Sequence, residues 1–185
     1  MITLDKLGNY RKGRIWINEL PQMDCIFNEN IREVFPIGNS VLEEEKTIVL
    51  ELGFARHCSN YALLSARFIP SQESESLILN IKVTGDRSEI FYAAETVLED
   101  KVHTGIIKEY AQAILETVEN QIRVKNWCTS GELTFIMGAH AEIGSSKSIF
   151  SLSTKLVLAL MMHKSHELVP EKINQIVIDQ IGIAT

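Results

Sequence analysis

The segment best suited to chemistry is a run of small residues that precedes a predicted helix. Gly144-Ser145-Ser146-Lys147-Ser148 leads into an apolar stretch that ends near Met162. Backbone amides at a helix N-terminus, small side chains and one lysine can hold a phosphate group. A serine at a helix start is also what capping alone requires. We therefore expect Ser145 or Ser146 to be an N-cap, with a phosphate-using enzyme built on Lys147 as the alternative.

Histidines cluster once in the sequence, in the segment His163-Lys164-Ser165-His166-Glu167. Two histidines three residues apart on a helix could share a metal ion, but the H-E-x-x-H spacing of metalloproteases is absent. Cationic side chains at a helix C-terminus also have a purely electrostatic reason to be there. The chain shows no nucleophile in the setting of a catalytic triad and no paired carboxylates in a cleft-like sequence. The sequence thus predicts no catalytic residue, no metal ligand and no cofactor, and the chain is not expected to be an enzyme.

Length, charge and cysteine content limit the classes of protein to which this chain can belong. The chain has 185 residues, a net charge of −6 and 45% hydrophobic residues, which suits one globular domain. Three widely spaced cysteines, Cys25, Cys58 and Cys128, predict reduced thiols. The longest apolar run, Leu156 to Met162, is too short for a bilayer, and no signal peptide is evident. We expect a cytoplasmic protein without a membrane or DNA partner.

Hydrophobic periodicity predicts the elements that position these residues. Alternation predicts strands, and a spacing of three to four residues predicts helices. The predicted strands are Arg14–Ile17, Ile31–Phe35, Ile48–Phe54, Tyr61–Ile69, Leu77–Val83 and Glu132–Met137, the last ended by Gly138. In Tyr61–Ile69 the uniformly apolar row is expected to face the core, and it consists of Ala62, Leu64, Ala66 and Phe68. The predicted helices start at Thr104 and at Ser145 or Ser146, with a weaker one over 88–100. The spacing from Ile173 to Ile181 suits a last helix, although Ile176-Val177-Ile178 would also suit a strand.

This order of elements predicts an α+β fold. The polar segment between the strands Tyr61–Ile69 and Leu77–Val83 indicates an antiparallel hairpin. We expect a two-layer sandwich, with a mostly antiparallel four-stranded sheet and helices on one face. Residues 1–185 are expected to form a single domain. Residues 47–162 would be its core, residues 1–46 an N-terminal extension of undetermined structure, and residues 163–185 a C-terminal segment.

Three segments within residues 47–162 resemble the fourth domain of elongation factor G and its ribosome-protecting relatives. Residues 59–70, SNYALLSARFIP, resemble a family strand that carries Gln-Tyr-Gly-His, continues with aliphatic residues and closes in proline. Residues 104–114, TGIIKEYAQAI, are similar to Gly-Val-Ile-Pro-x-Glu-Tyr-Ile-x-Ala-Val. Residues 138–150, GAHAEIGSSKSIF, are similar to Gly-Ser-Tyr-His-Asp-Val-Asp-Ser-Ser-Glu-Met-Ala-Phe.

The resemblance implies the fourth-domain fold and a non-catalytic binding domain that contacts the ribosome or RNA through two tip loops. The residues implied to make the contact are Arg56, His57, Asn60, His140, Glu142, Ser145, Ser146 and Lys147. Gly144 stands where the family has aspartate, and the family's loop histidine falls on Ala141, beside His140. The alternative is a protein–protein interaction module, of the immunity type or a homo-oligomer subunit, with no nucleic-acid role. A positive tip would favour RNA, and a negative or apolar tip would favour a protein.

Overall fold

The computed structural model describes residues 1–4, 7, 11–37, 42–56, 58–85, 88–96 and 100–181, with the side chains of residues 55, 56, 58 and 59 excepted. Over these ranges the chain has the predicted α+β class, with a mixed sheet and three helices. The prediction of a four-stranded sheet is wrong, because the first 36 residues and residues 102–104 supply four further strands and bring the number to eight. The strands are β1 (Ile2–Thr3), β2 (Arg11–Ile17), β3 (Glu29–Pro36), β4 (Lys46–Arg56), β5 (Cys58–Pro70), β6 (Ser76–Val83), β7 (Val102–Thr104) and β8 (Gly131–Ala141). The helices are α1 (Lys108–Arg123), α2 (Lys147–Met161) and α3 (Pro170–Ile181), with a short 3-10 helix at Ser165–Glu167.

The sheet runs in the order β1-β2-β4-β5-β8-β6-β3, and β7 pairs with the second half of β8. All pairs are antiparallel except β6 with β8. Residues 1–46 thus supply β1 and β2 at one edge of the sheet and β3 at the other. The strands predicted at Arg14–Ile17 and Ile31–Phe35 are confirmed as parts of β2 and β3.

The predicted hairpin between β5 and β6 is wrong, because β8 lies between these two strands and pairs with both. Leu133 and Phe135 of β8 are fully buried, so this strand is most stable in the middle of the sheet. A parallel neighbour needs a long crossover. Residues 84–130, which include α1, provide it between β6 and β8.

The three helices pack on one face of the sheet and form the main core with it. The predicted inward row of β5 is confirmed, since Ala62, Leu64, Ala66 and Phe68 are all fully buried there. Helix α2 lies against β4 and β5 and is buried over most of its surface. Each large apolar side chain removed from water in this way contributes about 1.5–3 kcal/mol.

Part of the opposite face is covered by residues 88–96 and 100–104, which we call the strap. Phe91 and Val102 of the strap pack on Trp16, Tyr61 and Leu63 in a second apolar cluster. The helix predicted over 88–100 is wrong for residues 88–96, which have a bridge at Ile90 and a turn after Phe91 instead. Packing of Phe91 and pairing of its N–H with the Val102 carbonyl (2.8 Å) override the weak helical pattern. Residues 97–99 lie outside the described part of the chain.

Helix α1 begins at Lys108, not at Thr104, and its N-cap residue is Ile107. Thr104 is drawn into β7, where its N–H donates to the Glu89 carbonyl (2.8 Å) and its hydroxyl accepts from the Glu89 N–H (3.2 Å). Gly105 follows with φ of +103°, a conformation that interrupts any helix at this point.

Strand β8 continues through Gly138 to Ala141, so the prediction that Gly138 ends it is wrong. A Cβ at Gly138 would lie 2.6 Å from Cγ1 of Ile106. Gly138 therefore allows Ile106, in the segment that leads into α1, to approach β8 closely. It does not form a turn. One consequence is that His140 stands on the sheet and not in a loop. No helix in the described residues is long and apolar enough to cross a membrane.

Candidate binding cleft

The structure fixes the predicted tip loop after β8 to the start of β5, next to Asn60 of the other predicted tip loop. The Tyr61 N–H donates to the Gly144 carbonyl (3.1 Å). The Ser145 hydroxyl donates to the Tyr61 carbonyl (2.5 Å) and accepts from the Ala141 N–H (2.8 Å). Asp100 of the strap accepts from the Gly144 N–H (2.8 Å). The loop after β8 is thus fixed to β5 and to the strap.

The residues predicted to make contacts divide into two groups. Ser145 and Ser146 have structural partners, Lys147 is exposed in the first turn of α2, and Asn60 is half-buried. His140 and Glu142 line a cleft. His57 and the side chain of Arg56 lie outside the described part of the chain.

Ser146 is the N-cap of α2, and its hydroxyl accepts from the Ile149 N–H (3.4 Å). The prediction of a serine cap is therefore confirmed. We expect Ser146→Ala to lower the free energy of unfolding by about 1 kcal/mol, because an orphan amide loses its acceptor. Lys147→Ala, the matched control, is expected to change it by less than about 0.5 kcal/mol. Urea denaturation measures both, and equal losses would contradict the capping role.

A cleft of about 660 Å³ lies beside the N-terminus of α1, where β6, β7 and β8 meet the strap. Its walls also include the residues that lead into β3. The polar residues that line it are Asn28, Glu29, Thr84, Ser88, His103, Lys108, Glu109, Tyr110, His140 and Glu142. Sequence reasoning singled out His140 and Glu142 and missed the others.

Two histidines stack inside this cleft because they are direct cross-strand partners. His103 of β7 pairs with His140 of β8, and their ring centroids lie 5.9 Å apart with an interplanar angle of 28°. Tyr110 of α1 meets the His140 ring edge-on at 5.6 Å and stacks on Phe150 of α2. The His140 imidazole is therefore held between His103 of the sheet and Tyr110 of the helix layer.

Hydrogen bonds orient each imidazole. Nδ1 of His140 lies 3.3 Å from the Gly105 carbonyl, and Nδ1 of His103 lies 3.2 Å from the Ser88 hydroxyl. Burial lowers the pKa of His140; the Gly105 contact opposes this change, and the neighbouring His103 adds to it. At neutral pH the His140 ring is therefore uncharged.

Carboxylates outnumber cations around the cleft. Glu29, Glu109 and Glu142 are exposed at its rim, and Lys108 is the basic side chain among the described lining residues. These three negative charges and one positive charge sum to about −2. The cleft therefore attracts cationic groups.

Metal binding finds no support among the described residues, where no three His, Cys, Asp or Glu side chains form a group that could hold an ion. The histidine segment near the C-terminus follows α2, and His163 lies 3.8 Å from the carboxylate of Glu167. No protein-family model, curated protein or solved structure matches the chain.

Proposed function

We propose that this chain is a non-catalytic binding domain that recognises the basic surface of a protein partner through the cleft. The observation that carries the proposal is the excess of carboxylates at the rim, where Glu29, Glu109 and Glu142 line the same cleft as the stacked imidazoles. Complementary charge across an interface selects partners and speeds their encounter. The net charge of −6 extends this attraction beyond the cleft.

Exposed apolar side chains in the loop after β8 and on the strap also favour a protein partner. Ile143, next to Glu142 in this loop, is 80% exposed, and Tyr92 of the strap is 90% exposed. Asp100 of the strap accepts from the Ile143 N–H (3.3 Å), so the strap and this loop adjoin. Aromatic side chains are enriched at protein interfaces.

Contact with RNA or the ribosome through the tip loops is the second candidate function. It is supported by the hydrogen bond from the Tyr61 N–H to Gly144, which holds the loop after β8 next to Asn60. The resemblance to the fourth domain of elongation factor G also supports it. Lys147 is exposed in this region, and Arg11, on the strand next to β4, lies 5.4 Å from the Phe54 ring. Glu142 belongs to both the tip loop and the acidic rim, whereas Lys147 does not line the cleft, so opposite charge changes at these two residues can separate the two functions.

The test measures how tightly the chain binds a labelled peptide of alternating arginine and glycine and how tightly it binds a labelled single-stranded RNA. Both are followed by fluorescence anisotropy at low salt. Glu142→Lys places a positive charge at the rim, and we expect it to weaken peptide binding about tenfold. The matched control is Glu73→Lys, in the exposed β5–β6 loop at the far end of the sheet. It makes the same change of net charge and is expected to alter binding less than about twofold.

Two results would overturn the proposal of a protein partner. One is the absence of peptide binding to the native chain at low salt. The other is RNA binding that Lys147→Glu weakens and Glu142→Lys does not weaken, which would support the RNA candidate instead. Salt-dependent co-sedimentation with ribosomes would extend that second result to the ribosome.

A further inference from the structure

The cleft presents hydrogen-bond acceptors that lack donors. A carbonyl oxygen can only accept, so Nδ1 of His140 carries the proton in its contact with Gly105. The neutral ring then has an unprotonated Nε2, which is an acceptor. Among the described residues, the one hydrogen bond of the His140 ring is that of Nδ1 with Gly105, so Nε2 is available to a ligand.

The hydrogen-bond donors that line the cleft do not satisfy its acceptors. Lys108 and the first-turn amides of α1 face the same space, and no side chain caps this helix. Glu109, in that first turn, offsets the positive end of the helix. The carboxylates of Glu29 and Glu142 add further acceptors. The best complement to the cleft is therefore a cation with several N–H donors.

The shape of the site favours a planar cation over a compact one. The His103 ring, which stacks on His140 and has no other ring contact among the described residues, offers a flat surface in the cleft. A guanidinium group stacks on such faces, donates through five N–H groups and pairs bidentately with a carboxylate. A lysine ammonium group is more strongly hydrated and gains less from stacking.

We propose that the cleft binds the guanidinium group of an arginine side chain of the protein partner, between the stacked histidines and the rim carboxylates. The inference rests on the proposed function and names the group that the site recognises. The guanidinium group lies against the His103 ring and donates to Nε2 of His140 and to a rim glutamate.

The experiment measures binding of short glycine-spaced peptides that carry one arginine, one lysine or one citrulline, together with free L-arginine as a small-molecule probe. We expect the arginine peptide to bind at least about fivefold more tightly than the lysine peptide. The citrulline peptide, which keeps the shape but loses the charge, is expected to bind at least about tenfold more weakly than the arginine peptide. His140→Gln should remove most of the preference for arginine over lysine, and the matched control Gln72→His, in the distant β5–β6 loop, should leave it unchanged.

The outcomes separate this inference from the proposed function. Equal binding of the arginine and lysine peptides overturns the guanidinium site and leaves a basic protein partner in place. Binding of free L-arginine as tight as that of the peptide supports the guanidinium site but replaces the protein partner with a small molecule. Absence of binding by every probe overturns both. ¹H–¹³C spectra of the histidine rings show whether an observed ligand lies in the cleft or elsewhere.

Acidification provides an independent readout. Since burial lowers the pKa of His140, this ring gains its proton only below the ordinary histidine range of about 6.5, and it then repels a cation. The charged and titratable groups that face it are Glu29, Glu109, Glu142, Lys108, His103 and Tyr110. We expect the affinity for the arginine peptide to fall as the pH drops below about 6.5 and to fall less in His140→Gln. A pH profile that is the same in both proteins would overturn the role of His140.

Discussion

Glu51→Ala is expected to lower the free energy of unfolding by about 3–5 kcal/mol, the usual cost of breaking a buried ion pair. Glu51 is fully buried and lies 2.5 Å from Nε of Arg14, whose side chain is 15% exposed. Its other oxygen accepts from the Tyr61 hydroxyl (2.8 Å) and from the Glu95 N–H (2.9 Å). Removing the carboxylate leaves these donors without an acceptor and Arg14 without its close partner.

The cleft is expected to change in this variant as well. Arg14 also donates to the Ala93 carbonyl (2.6 Å), so the Glu51 network ties the strap to the sheet at two points. The strap carries Ser88 and His103 of the cleft. Hydrogen exchange of strap amides should increase more than that of α2 amides, because local opening of the strap becomes easier.

Glu45→Ala is the matched control for Glu51→Ala, since it removes the same side chain from an exposed ion pair with Arg67. It is expected to cost less than about 1 kcal/mol. Urea denaturation of both variants by circular dichroism makes the comparison. Equal losses in the two variants would show that the Glu51 network contributes no more than a surface pair.

Gly105→Ala is expected to lower the free energy of unfolding by about 2–4 kcal/mol, from backbone strain and overpacking together. Gly105 has φ of +103°, and a Cβ there would collide with the Thr84 side chain. Its N–H donates to the Gly138 carbonyl (2.5 Å), and its own carbonyl holds Nδ1 of His140. Displacement of this residue should therefore shift the His140 ring resonances in NMR spectra.

Gly85→Ala is the control for Gly105→Ala, because both glycines flank Thr84 and the cleft. A Cβ at Gly85 would lie 2.8 Å from Oδ1 of Asn28, which ends an exposed side chain that can move away. We expect a loss below about 1 kcal/mol. If Gly105→Ala were no more destabilising than Gly85→Ala, the close packing between Gly105 and Thr84 would contribute nothing to the free energy of unfolding.

Local patterns predicted the elements whose structure depends on neighbours in sequence. The alternation in Tyr61–Ile69 identified β5 and its inward face, because side chains of a strand point to opposite sides in turn. The start of α2 followed from Ser146, since capping involves only the residues of the first turn. The α+β class followed from the order of these elements.

Long-range contacts decided what the sequence patterns missed. Thr104 has a good capping side chain, but its partner is Glu89, which lies fifteen residues away and belongs to the strap. The weak apolar pattern of residues 88–100 favours a helix, but burial of Phe91 in the second apolar cluster gives this part of the strap a non-helical conformation. The insertion of β8 between β5 and β6 depends on burial of β8 and not on any signal in the loop between its neighbours.

The residues of the candidate site likewise divide into those that the sequence identified and those that only the structure brought together. The sequence by itself determined an acidic chain without a catalytic or metal-binding motif, and a resemblance directed attention to His140 and Glu142. Glu29, Thr84, His103 and Glu109 are scattered along the sequence, so no local pattern could group them. Only the tertiary structure placed β7 beside β8, which sets His103 opposite His140. Pairing of so short a strand depends on contacts distant in sequence, and the cleft forms where those contacts bring the chain together.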